Sequence, residues 1–265
     1  MRLFGMSLAV LAIALTGSWL LGLPLTFGFA VTVLAHGLFM WHILNPSGSL
    51  FCPTLSHGRP SAMRRVALTF DDGPGETITL DVLDILRDRK VPATFFVIGR
   101  HARRSPALIR AIADAGHEIA NHSYAHPRHI YLWSARSVLR DARLTQRIIH
   151  RLIGTAPRLY RPPIGFRSPA VGLAMRTLGL TLVNFSVRAD DTGRNSAGDV
   201  VRQLLRGARP GAILLCHDGS DVNPRPNRRA MLAALPTVID QLHARGYRFV
   251  TVSNLIDAPN PAIVP

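Results

Sequence analysis

Two adjacent carboxylates, Asp71 and Asp72, close the apolar run Val66 to Phe70 and are followed by Gly73 and Pro74. Neighbouring residues on a strand point to opposite faces, so the pair can serve one site only where the strand ends and its backbone turns. Gly and Pro supply that break. Far along the chain stand His122 and His126, Arg161 and His217, each at the end of another apolar run. Two imidazoles four residues apart share a face on one helical turn, a spacing used at many zinc sites. One carboxylate completes a three-ligand set with a position left open, as in catalytic rather than structural zinc. A divalent ion so held lowers the pKa of its water towards ~7 and polarises a carbonyl oxygen. The second carboxylate can act as general base, and His217, titrating near neutrality, can protonate a departing nitrogen. The constellation reads as metal-assisted hydrolysis of an amide or ester.

The elements that must position these groups alternate. Strand-like runs at Val66 to Phe70, Ala93 to Ile98, Glu118 to Asn121, Arg158 to Arg161, Thr181 to Val187, Ala212 to Cys216 and Tyr247 to Val252 are separated by amphipathic stretches such as Thr79 to Arg89, Pro106 to Ala115, Trp133 to Ile153 and Arg228 to Arg245. Repeated β-α units of this kind predict a parallel sheet, and seven strands predict a barrel rather than an open sheet. Such barrels build their sites at the carboxyl ends of the strands, and every residue singled out falls there, with Asp190 and Asp191 after the fifth strand. Singly, each has an ordinary structural reading. Asp-Asp before Gly-Pro makes a turn, the histidines are solvated loop residues, Asp218 and Gly219 form a turn, and His129, His150 and His243 lie on the surface. Their joint placement on one rim overrides those readings.

The 265 residues carry 31 Lys+Arg against 16 Asp+Glu, a formal charge of +15, with Lys90 the single lysine. A basic surface favours anionic lipid or nucleic acid without defining a fold; no specific nucleic-acid partner is expected. The two cysteines, Cys52 and Cys216, suggest no disulfide framework. Between Arg2 and Arg59 no residue is charged other than through its histidines. Leu3 to Leu21 and Phe27 to Leu44 each approach the ~20 apolar residues of a bilayer span, and a second apolar run where a cleavage region would stand argues against a secretory signal. Residues 1–58 are therefore expected to anchor the chain in the cell membrane, through two helices, and 59–265 to form the catalytic domain. If both runs span, Arg59, Arg64 and Arg65 favour a cytoplasmic domain; if one spans, Arg2 inside places it outside. The side and the oligomeric state stay open.

Thr69 to Pro74, with His122, Ser123 and His126, resembles the polysaccharide deacetylase family, the NodB-homology domain of carbohydrate esterase family 4. Arg161, Pro163 and Gly165 match its third motif, and Leu215, Cys216 and His217 its last. The resemblance runs from about Arg64 to Val252 and implies a distorted seven-stranded (β/α) barrel that removes acetyl groups from N-acetylated saccharides: an N-acetylglucosamine-containing polymer, oligomer or lipid-linked sugar. By the same resemblance, Asp71 is the base, Asp72, His122 and His126 bind the metal, Arg161 orients Asp71, and His217 is the acid. Asp191 aligns best with the acid that orients His217, with Asp190 the alternative. Zinc suits the ligands, and cobalt, nickel, manganese or iron also fit. Two departures imply an altered sugar pocket: Ile164 replaces an aromatic beside Gly165, although its backbone amide can still face an oxyanion beside Leu215, and Asp190-Asp191-Thr192 lacks a tryptophan. Other readings are a hydrolase of another amide or an O-acetyl ester, and a membrane-tethered binding protein with a degenerate site.

Overall fold

The computed structural model describes residues 2–44, 52–58, 63–191, 193, 195–223 and 226–257, with side chains in the first segment described from 10 to 41. Arg59 and Thr192 lie outside the described residues. Helices α1 (Arg2–Leu20) and α2 (Leu25–Leu44) form an N-terminal hairpin. There follow β1 (Arg65–Gly73), α3 (Ile78–Arg89), β2 (Thr94–Val97), α4 (Gly99–Arg104), α5 (Pro106–Asp114), β3 (Glu118–Asn121), α6 (Ala135–Ile153) and β4 (Leu159–Tyr160). The second half holds α7 (Pro169–Leu178), β5 (Thr181–Leu182), β6 (Val187–Arg188), α8 (Ala197–Gly207), β7 (Ile213–His217), α9 (Arg229–Ala244), β8 (Arg248–Phe249) and α10 (Val252–Ile256).

All strand pairs are parallel, in the order β5-β4-β3-β2-β1-β7-β6, with β8 added beside β1. The expected distorted barrel takes the form of a curled half-barrel, in which edge strands β5 and β6 do not pair with each other. The run expected as one strand over 181–187 is split. Its residues 183–186 cross the opening: Leu55 pairs with Val183, the Asn184 N–H donates to the Leu55 carbonyl, and the Ser186 N–H donates to the Ile213 carbonyl. His57 also pairs with Ala212, and Cys52 is buried. Both cysteines are free and buried, consistent with no disulfide.

Period-two alternation sorts the core. On β1, Val66, Leu68 and Phe70 face outward into a large apolar cluster with α3, α5, α8 and α9, where the Phe70 and Phe95 rings stack at 5.0 Å. Ala67 faces inward with Phe96, Ala120, Leu159, Val183, Ile213 and, from α10, Val252 and Leu255. The inward parity continues through Thr69 to Asp71 on β1, and through Leu215 to His217 on β7. Extended past the ends of β3 and β4, it reaches His122 and Arg161.

Among the described residues no helix is long and apolar enough to cross a membrane. The two expected transmembrane helices are thus unsupported.

Leu55→Pro removes the N–H that Leu55 donates to the Leu182 carbonyl at 2.9 Å. It should lower the melting temperature by several degrees, at ~2–4 °C per kcal/mol lost. Leu55→Ala, at an exposed side chain, should shift it far less; calorimetry checks both.

Candidate active site

Parity places Asp71 inside and would turn Asp72 outside. A register shift between Asp71 and Gly73 and a left-handed Asp72, φ 68°, bring the second carboxylate back to the same rim. Asp tolerates that conformation better than most residues. His122 follows β3, its N–H donating to the Val97 carbonyl. The segment to His126 is a loop, not the expected helical turn: Ser123 (φ 65°) and His126 (φ 55°) are left-handed. The Ser123 N–H donates to Asn121 Oδ1, and Ser123 Oγ accepts the His126 N–H. The loop nevertheless delivers both imidazoles, their centroids 5.0 Å apart.

Asp72 Oδ1 lies 3.4 Å from His122 Nε2 and 3.2 Å from His126 Nε2. His122 Nδ1–H donates to the Arg161 carbonyl at 2.8 Å, and His126 Nδ1 faces Asp221 Oδ2 at 3.0 Å. With each Nδ1 carrying its proton, both Nε2 lone pairs converge on Asp72 Oδ1, a buried oxygen without a hydrogen-bond partner. Three acceptors aimed at one point fit a cation, and Asp72, His122 and His126 form a group that can hold a metal ion. Were the imidazoles protonated instead, the His122 hydrogen bond and the charges of His122, His126 and His217 would outweigh the burial that raises the Asp72 pKa and hold it below the usual carboxylate range.

Arg161 is fully buried. Its Nη1 donates to Asp71 Oδ1 at 2.6 Å and to Thr69 Oγ1 at 2.9 Å, its Nη2 to the Asn184 carbonyl, and its guanidinium stacks 3.9 Å over the Phe96 ring. Asp71 Oδ2 stands 3.8 Å from His122 Nε2. Across the rim, His217 Nδ1–H donates to Asp191 Oδ1 at 2.8 Å, and the His217 N–H donates to Asp191 Oδ2 at 2.7 Å. Burial lowers the His217 pKa, but Asp191, then Asp72 and Asp71, raise it above the ordinary histidine value. Asp191 is buried and Asp190 exposed, which selects Asp191 as the partner.

Three contributors escaped sequence reasoning. Asp221 holds His126 and is held in turn by Arg128 at 3.1 and 3.2 Å and, through its carbonyl, by Arg100. Arg228, read only as a helix start, is buried and donates to the Asp191 and Gly219 carbonyls. Asp218, read as a turn, is buried, accepts from Thr79 Oγ1 at 2.6 Å, and is pushed by burial up to about 7. The strand-end rule marks Asp218, which follows His217 directly. A cleft of about 590 Å³ opens over Asp71, Asp72, His122, His126 and His217, and is also bordered by Ile164, Leu215, Phe185 and Arg188. Ile164 is left-handed at φ 53° and 42% exposed.

Fold and site together define a class: curled parallel α/β half-barrels with an Asp-His-His cation site between a buried Asp–Arg pair and a His–Asp pair. Residues 58–183 match the polysaccharide deacetylase family model. A chitooligosaccharide deacetylase of Sinorhizobium fredii is 39% identical, over 74% of this chain and 91% of that relative. A peptidoglycan-N-acetylglucosamine deacetylase of Listeria monocytogenes is 35% identical over 72% of this chain, which spans only 39% of that relative's length. Among solved structures, the Bc1960 peptidoglycan N-acetylglucosamine deacetylase superposes with a TM-score of 0.73 at 31% identity, covering 78% of this chain and 94% of that one. The chain belongs to the polysaccharide deacetylase family.

Outer partners of metal-bound histidines typically change affinity by about 10–100-fold. Titration calorimetry with zinc should therefore show such a weakening in Asp221→Ala, and a larger one in Asp72→Ala, where a ligand oxygen itself is lost.

Proposed function

We propose that this chain is a metal-dependent hydrolase that removes N-acetyl groups from an N-acetylglucosamine-containing saccharide, with zinc as the preferred ion. The observation that carries this reading is the convergence of Asp72 Oδ1 with two imidazole Nε2 atoms beside a second, separately held carboxylate. The family's relatives named above support it. When bound, the ion supplies Lewis acidity towards the acetyl carbonyl and the attacking water.

Asp71, with Oδ1 tied to Arg161, takes the proton of the attacking water on its other oxygen. The donor at the leaving nitrogen is His217: its Nδ1–H is fixed on Asp191, so the proton it gives is on Nε2. Arg161 and Asp191 orient the two proton-transfer groups without touching substrate, while Leu215 and the backbone at Ile164 border the sugar and its developing oxyanion.

The test is acetate release from N-acetylglucosamine oligomers, with acetyl esters as comparison, with and without added divalent metal. Activity should require the metal and disappear in Asp71→Asn and His122→Ala; wild-type rates in either variant would remove this mechanism. As a proton donor His217 must be charged, so the rate should fall as pH rises through its raised pKa. Asp191→Asn removes the main cause of that elevation and should move the fall to lower pH.

We further propose that the N-terminal hairpin holds the chain at the cell membrane. Support comes from Ile13, Trp19, Leu20, Leu21, Phe27 and Phe29, which are between 53% and 74% exposed, a density of apolar surface that marks a contact face. The full chain should sediment with membranes and need detergent for release, whereas the chain lacking residues 1–44 should not. Full-length protein that stays in the detergent-free supernatant overturns this.

A further inference from the structure

Among the described residues three arginines border the cleft, and two of them are committed to the protein itself. Arg128 is bound to Asp221 by two hydrogen bonds, and Arg228 to the carbonyls of Asp191 and Gly219. The carboxylates are accounted for as well: Asp71 by Arg161, Asp221 by Arg128, Asp191 by His217, and Asp72 by the cation it would share with His122 and His126. Of these three described arginines, Arg188 is left over. It is exposed on β6, in register with Leu215 of β7, on the border of the cleft that contains Asp72, His126 and His217. Among the described residues it has no hydrogen bond or ion pair.

A guanidinium presents paired N–H donors whose spacing matches a carboxylate or a phosphate, and each such charge-assisted pair is stronger than a neutral hydrogen bond. A neutral acetylated sugar offers it only uncharged oxygen acceptors. We propose that Arg188 selects a substrate carrying an anionic group, a sugar carboxylate or a phosphate ester, near the acetamido group that is cleaved. This rests on the deacetylase reading and refines it to an acidic saccharide. Asn227, on the same cleft border, adds an amide donor for a flanking hydroxyl.

The experiment compares three N-acetylglucosamine compounds on the full-length, zinc-supplied protein: the neutral oligomer, an oligomer containing muramic acid, and a diphosphate ester of the sugar. Both kcat/KM and, independently of turnover, calorimetric affinity are measured for the wild type, Arg188→Gln and Arg188→Lys. The wild type should favour one anionic compound over the neutral one, and which one it favours distinguishes carboxylate from phosphate. Arg188→Gln should reduce that preference about ten-fold, through KM and affinity rather than kcat. Arg188→Lys should retain part of it. An equal preference in wild type and Arg188→Gln, or none in the wild type, overturns the assignment of Arg188 and leaves the deacetylase reading intact. Failure of all three to release acetate overturns the deacetylase reading, and the affinities still decide whether Arg188 selects an anion.

Discussion

A guanidinium sealed from water inside the half-barrel is the constraint on which the site depends. Burying a charge costs several kcal/mol unless it is paired and hydrogen-bonded, and breaking such a pair typically costs ~3–5 kcal/mol because it strands the partner. Arg161 meets this requirement with Asp71, Thr69, the Asn184 carbonyl and the face of Phe96. The same residue's backbone carbonyl takes the Nδ1 proton of His122, so that Nε2 is left with a lone pair. One residue therefore fixes a carboxylate oxygen and a ligand tautomer together. Substitutions at Arg161 and His122 should consequently be non-additive, since they share partners.

Backbone conformation is spent at the same place. Asp72, Ser123, His126 and Ile164 are left-handed non-glycine residues, and all four lie at or beside the cleft. Such conformations cost of order 1–3 kcal/mol each and persist only where surrounding contacts over-determine them. At the histidine loop those contacts are visible: Asn121 and Ser123 side chains hold the backbone, and the Gly99 and Arg100 N–H groups donate to the Ser123 and Tyr124 carbonyls. At Ile164, a β-branched residue for which the conformation is least favourable, the neighbouring Gly165 carbonyl is held by Asn184 Nδ2.

Much of this was legible because it follows from parity and strand ends. The alternation that buries Val66, Leu68 and Phe70 also turns Asp71 inward, and the major helices α3, α5, α6 and α9 start and stop within two residues of the apolar pattern. The His122–His126 spacing pointed to a pair that the structure does bring together, but through a stitched loop rather than the expected helical turn. Asp221 and Arg228 were hidden because their roles depend on contacts from distant elements: Asp221 reaches a histidine 95 positions earlier, and Arg228 reaches back to a carbonyl 37 residues away. Nothing local separates them from surface charges. Closure of the barrel was equally illegible, because it is decided by the few residues at 183–186 and by Leu55, whose pairing no periodicity reveals.

The two proposed proton-transfer groups belong to adjacent strands, Asp71 pairing in register with His217, and the loops that follow those strands are interlocked. A side-chain carbon at Gly73 would collide with the Asp218 carboxylate, and one at Gly219 with the Asp72 backbone carbonyl. Both positions therefore need glycine for close approach rather than for chain freedom. Asp218 closes the lock by accepting from Thr79 at the start of α3, and Arg228 closes it from the other side through the Gly219 carbonyl. The separation of the proposed acid and base is thus set by backbone packing between β1 and β7, while the proposed cation ligands Asp72, His122 and His126 come from β1 and the loop after β3. On that proposal a substrate amide would span both sets, and the interlocked loops would be the rigid frame against which its carbonyl and nitrogen are aligned.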